Sequence, residues 1–166
     1  MTIEGDTGDG SFLAPDFLDF IVALEAAAVD ALLVGGYALA VHGVVRATAD
    51  IEFFYRPTDA NVRRLCTALH EFGAPPSVIR AADLKAPGMV TQLGSPPLRI
   101  DLLNIIDGVS FAAAWKGAVT VDIGSQRLRV IGLAQLRANK AASGRPKDLE
   151  DLRLLTERAK AGRRRR

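Results

Sequence analysis

The chain has 166 residues, 49% of them hydrophobic and 24% charged, with a formal net charge of +2. That balance excludes a disordered polymer, and the length is enough for one domain with a sizeable core. The single cysteine, Cys66, excludes an internal disulfide and a cysteine-rich zinc site, and fits a reducing cytoplasm.

Charge is unevenly placed. Glu4, Asp6 and Asp9 lie in a Gly-rich start, whereas Arg163–Arg166 form a basic tail whose four charges exceed the net charge of the whole chain. The basic balance therefore belongs to the tail and does not mark a nucleic-acid-binding face. Such a run ordinarily forms a solvated end, with RNA or a membrane surface as the alternative contact. The apolar stretch 26–41 is broken by Asp30, Gly35 and Gly36 and is too short to span a bilayer, so a cytoplasmic chain without a membrane segment is expected.

In chain order, residues 1–12 read as a flexible leader. Pro15 suits a first helical turn, and Phe17, Leu18, Ile21, Val22 and Leu24 give a helical stripe to about Ala28. Ala31–Val34 is a short buried strand that meets a turn at Gly35-Gly36, where a second helix starts and ends by Gly43. Asp50–Tyr55 reads as a strand closed by Pro57, and Thr58 caps a helix that Gly73 ends after Phe72.

Pro75-Pro76 opens an irregular stretch. Met89–Leu93 and Leu98–Asn104 form a pair of strands around Gly94-Ser95-Pro96-Pro97, and Ser110–Trp115 a short helix. Val119–Ile123 and Arg127–Ile131 form a hairpin about Gly124-Ser125, followed by helices over Leu133–Ala142 and Lys147–Ala161. The expected architecture is α/β (α+β): a small mixed sheet flanked by helices over residues 13–161, with a short C-terminal helical segment and a basic tail at 162–166.

Asp50 and Glu52 stand two apart on one strand, so both side chains share a face while Ile51 and Phe53 point into the core. Asp101 stands in a second apolar strand, Arg99-Ile100-Asp101-Leu102-Leu103. If the strands adjoin, three carboxylates converge and repel one another unless a cation neutralises them. Oxygen-only ligands favour Mg2+, with Mn2+ as the substitute, and such ions activate a hydroxyl and stabilise leaving pyrophosphate. Taken alone, the Asp50–Glu52 pair reads first as a strand that shows its acids to water. Upstream, Gly35-Gly36 ends a strand and opens a helix, separated from Asp50 by thirteen residues (37–49), a place where phosphates can approach the backbone.

Together, Val34-Gly35-Gly36, the spacer, Asp50-Ile51-Glu52-Phe53 and the distant Asp101 resemble the signature of the nucleotidyltransferase superfamily. Gly36–Gly43, Arg46–Asp50, Asn139-Lys140 and Gly144–Leu152 are similar to the bacterial minimal nucleotidyltransferases, including the AbiEii-like toxin and antitoxin proteins with their polymerase-beta-like fold. The resemblance covers about Leu32–Leu155.

The resemblance implies that Gly35 and Gly36 cradle a nucleoside triphosphate, that Asp50 and Glu52 hold Mg2+, and that Asp101 completes the metal site and acts as general base. It places Arg46, Thr48 and Lys140 near the phosphates. Against this stand a surface-loop role for Arg46, a turn cap for Thr48 and a snorkelling Lys140. Asp148 is read as a partner of Lys140 or Arg145 that fixes the helix–helix angle, His42 as no metal ligand, and Trp115 as a core anchor rather than a stacking platform.

Two features depart from the family. Glu stands at 52 where many active relatives carry Asp, and little chain follows Leu155 where larger toxin relatives extend. The implied function is transfer of a nucleoside monophosphate from a nucleoside triphosphate to a hydroxyl of RNA or protein, or of a small molecule, in a toxin–antitoxin setting with a cognate toxin or antitoxin as partner. The alternative is a weak or inactive antitoxin or regulatory module. A third reading, an RNA-binding accessory protein acting through the arginine tail, lacks interleaved aromatics. Acceptor, base preference and oligomeric state are open at this point.

Overall fold

The computed structural model describes residues 13–164; the leader at 1–12 and the last two tail residues, 165–166, lie outside the described residues. Helix α1 (Pro15–Ala26) begins with proline at its first turn and buries Phe17, Phe20, Ile21 and Leu24, a spacing that keeps one face apolar. Strand β1 (Ala31–Val34) runs into helix α2 (Gly35–Val41), and strand β2 (Asp50–Tyr55) follows a loop. Helix α3 (Asp59–Phe72) starts at Thr58, whose side chain accepts from the Asn61 N–H, and stops at Gly73 in the left-handed conformation.

The irregular stretch after Pro75 holds a 3-10 turn (Pro76–Val78) and a short helix α4 (Ala81–Lys85) that sequence patterning does not reveal. One turn and a half is too short to display a period. Strands β3 (Val90–Leu93) and β4 (Arg99–Leu103), helix α5 (Phe111–Lys116) and the hairpin β5 (Val119–Ile123)–β6 (Gln126–Val130) come next. Helices α6 (Leu133–Ser143) and α7 (Pro146–Arg164) complete the chain, and α7 continues three residues past the expected helix end.

All six strands form one sheet in the order β3-β4-β2-β1-β6-β5. β1 with β2, β3 with β4 and β5 with β6 are antiparallel, while β2 with β4 and β1 with β6 are parallel. Residues Leu33, Ile51, Phe53, Tyr55, Ile100 and Leu102 are buried. By register and alternation they share one sheet face, which α1 covers through the Phe20–Phe53 edge contact at 5.5 Å. Asn61 locks the start of β1 to the end of β2: it accepts from the Asp30 N–H at 2.7 Å and donates to the Asp30 and Arg56 carbonyls at 3.0 and 2.8 Å. The opposite face carries Asp50, Glu52, Phe54 and Asp101, with α5 packed on it through Phe54 and Phe111. No described helix is long and apolar enough to cross a membrane.

Candidate nucleotidyltransferase site

The parallel pairing of β2 with β4 sets Glu52 directly opposite Asp101, and Asp50 opposite Arg99. Strand alternation then puts all four side chains on one face, beside the end of β1, where Val34 is the cross-strand partner of Glu52. The three carboxylates expected to converge thus arise on neighbouring strands. Glu52 lies over the glycine turn: Gly35 has φ +66°, so the backbone calls for glycine there, and a Cβ at that place would displace the Glu52 carboxylate. A Cβ on Gly36 would come 2.9 Å from Thr48 Oγ1, so the second glycine also makes room for a neighbour.

The residue between the acids is one that motif reading passed over. Arg99 donates from Nε to Asp101 Oδ1 at 2.9 Å, and from Nη2 to Asp101 Oδ2 at 3.1 Å and Asp50 Oδ2 at 2.6 Å. Those bonds, that to Asp101 first, hold the guanidinium even more firmly protonated than usual. Its place was readable in principle, since Arg99 and Asp101 are two apart on a strand. Among the described residues Glu52 has no such partner. Burial pushes its carboxyl above the usual range; the charges of Asp50 and Asp101 add to this, while Lys140 and Lys147 oppose it.

The remaining expected residues divide. Thr48 Oγ1 donates to Asp50 Oδ1 at 3.0 Å and orients that carboxylate. Arg46 grips Asp151 with Nε at 2.8 Å and Nη2 at 3.2 Å, tying the loop before β2 to α7. Lys140, 4% exposed, donates to Asp148 at 2.7 Å and pairs with Asp151 at 2.9 Å. Asp148 also accepts from Ser143 and Arg145, which agrees with a helix-fixing role. His42 Nε2 lies 2.8 Å from the Ile131 carbonyl, a bond within the fold. Trp115 is half-buried against Phe111 at 5.5 Å, yet Arg129 lies over it, so it is more than a core anchor.

A cavity of about 260 Å³ opens beside Glu52, lined by Gly35, Asp107, Asn139, Lys140 and Arg145 among others. It joins the acidic strands to the α6–α7 turn, where Lys140 and Arg145 are held by Asp148 and the Asn139 amide donates to the Asp107 carbonyl.

As a donor set, three oxygen-bearing acids fit a hard divalent cation. Among the described residues no three Asp, Glu, His or Cys side chains come close enough together to hold a metal ion as they stand. Arg99 supplies the positive charge between Asp50 and Asp101, and it would have to turn aside for both acids to face one ion.

A mixed six-stranded sheet flanked by helices, with acids paired across β2 and β4 beside a Gly-Gly turn, defines a domain of the nucleotidyltransferase class. The chain belongs to the family of nucleotidyl transferases of unknown function (DUF2204), whose model matches residues 15–165. No curated protein matches the chain.

Proposed function

We propose that the protein transfers a nucleoside monophosphate from a nucleoside triphosphate to a hydroxyl, using Asp50, Glu52 and Asp101 to hold Mg2+ or Mn2+. The observation that carries this reading is the register pair Glu52–Asp101, with Asp50 on the same face and Gly35-Gly36 beside Glu52. The acceptor oxygen attacks the α-phosphorus, the bond to the β-phosphate bridging oxygen breaks, and pyrophosphate leaves with its electron pair. Asp101 takes the acceptor proton once Arg99 has released it. Bound metal supplies charge neutralisation for the phosphoryl oxygens. Gly35 and Gly36 let the triphosphate reach the backbone, Thr48 holds Asp50 in place, and Arg145 and Lys140 face the cavity with positive charge.

The acceptor class we favour is RNA or a protein hydroxyl, within a toxin–antitoxin or related bacterial system. A second reading draws on Arg99: its bonds to Asp50 and Asp101 balance the acids without metal, as suits a regulatory module that keeps the fold and contacts a partner.

Incubation with Mg2+, each α-labelled nucleoside triphosphate, bulk RNA and lysate protein tests the proposal against Asp50→Ala/Glu52→Ala. Label on a macromolecule with the native chain alone supports transfer and identifies the acceptor. Nucleotide binding without transfer favours the regulatory module, and loss of neither binding nor transfer in the variant sinks the site.

A further inference from the structure

A second cavity lies at the other end of β1 from Gly35. Strands β1 and β6 share a single register pair, Leu33 with Val130, and pairing stops toward the start of β1. There a hollow of about 290 Å³ opens between Ala31 and Leu128. Ile21, Leu24 and Phe53 give it an apolar lining, and Trp115 forms part of its wall. That volume sits at the low end of small-ligand pockets, roughly 300 Å³, so the occupant is small.

Both signs of charge border the hollow. The Arg129 guanidinium carbon lies 4.1 Å from the centroid of the Trp115 ring. Stacking restrains the side chain and leaves its N–H groups able to donate. Arg129 makes no hydrogen bond or ion pair with any described residue, and its cross-strand neighbour is Thr120. Arg127, also on the rim, approaches Asp122 only at 3.9 Å. On the α1 side Glu25 likewise has no side-chain partner among the described residues, whereas Asp30 is taken by Arg56 at 3.0 Å. Glu25, Arg127 and Arg129 also border an adjoining hollow with Thr120.

A purely anionic ligand would meet Glu25 and Asp30, and a purely cationic one Arg127 and Arg129. A ligand that carries both charges close together above an apolar group matches all of them. We propose that this cavity binds a free α-amino acid with an apolar side chain. Its carboxylate pairs with Arg129, its ammonium with Glu25, and its side chain enters between Leu24, Phe53 and Leu128. The site shares no residue with the cavity beside Glu52 and does not depend on nucleotidyl transfer.

Trp115 is the only tryptophan in the chain, so its fluorescence reports on the cavity directly. Titration of the full chain with L-leucine or L-phenylalanine should change Trp115 emission saturably within the millimolar range. Leucinamide, which lacks the carboxylate, and 4-methylpentanoate, which lacks the ammonium, should each bind at least roughly tenfold more weakly. Calorimetry on Arg129→Met and Glu25→Gln, both at exposed positions, should show a similar loss for leucine. No saturable signal with either amino acid overturns the proposal. So does leucine affinity unchanged in both variants, or 4-methylpentanoate binding as well as leucine.

Discussion

Arg99 reaches across two parallel strands to donate to Asp50 at 2.6 Å while it also clasps Asp101, its neighbour two residues along β4. One guanidinium therefore balances two of the three acids of the site. Arg99→Ala should leave Asp50, Glu52 and Asp101 to repel one another and lower stability in metal-free buffer. Adding Mg2+ or Mn2+ should restore most of the loss, so that the metal raises the Tm of the variant more than that of the native chain. Thermal melts with and without metal check this. A variant whose Tm ignores both ions would argue against a metal role for the three acids.

Gly35 and Gly124 both have positive φ, +66° and +59°, but only Gly35 has a side chain pressed against it. Gly124→Ala meets open space and should cost only the backbone strain, about 1 kcal/mol. Gly35→Ala adds an overlap with the Glu52 carboxylate, the end of a flexible side chain that must swing aside, and should cost about 1 kcal/mol more. Denaturant unfolding of the two variants separates strain from overlap. Nucleotide binding should fall in the Gly35 variant alone.

Asp148 gives the chain an acid-sensitive point. Burial works against its charge, but hydrogen bonds from Lys140, Ser143 and Arg145 hold its carboxyl at about 2, below the ordinary 3.8. The unfolded chain binds this proton more readily, so the stabilisation is complete above about pH 4 and is lost as the pH falls toward 2. The amount at stake is about 2 kcal/mol. Urea unfolding at successive pH values should show this loss, and Asp148→Asn should be less stable at neutral pH with a flatter profile over that window.

Much of this was legible in the sequence because it rests on local pattern. Asp50, Ile51, Glu52 and Phe53 alternate, so the strand and its acidic face follow from period two. Thr58 and Gly73 mark the ends of α3 by side chain and by left-handed backbone. What escaped was long-range. Nothing local says that β4 lies beside β2, which is what brings Arg99 to Asp50, 49 residues away. The same holds for Arg46, whose partner Asp151 is 105 residues distant. The short helix α4 and the cavity at the β1–β6 gap also depend on packing rather than on any periodic signal.

Lys140 distinguishes a structural charge from a ligand contact. Its amine is buried between Asp148 and Asp151, while the residue also lines the cavity beside Glu52. Lys140→Met leaves two nearly inaccessible carboxylates with less compensation, and Arg145 and Arg46 remain on their outer sides. With those partners kept, the expected loss is about 2–3 kcal/mol, less than for a buried ion pair broken without compensation. Lys140→Met with Asp148→Asn and Asp151→Asn removes those charges together and should recover much of that stability. If Lys140 serves the fold alone, the triple variant also regains nucleotide affinity. If its charge also draws the triphosphate, stability returns while nucleotide binding stays weak, and calorimetric titration beside thermal melts reads the two apart.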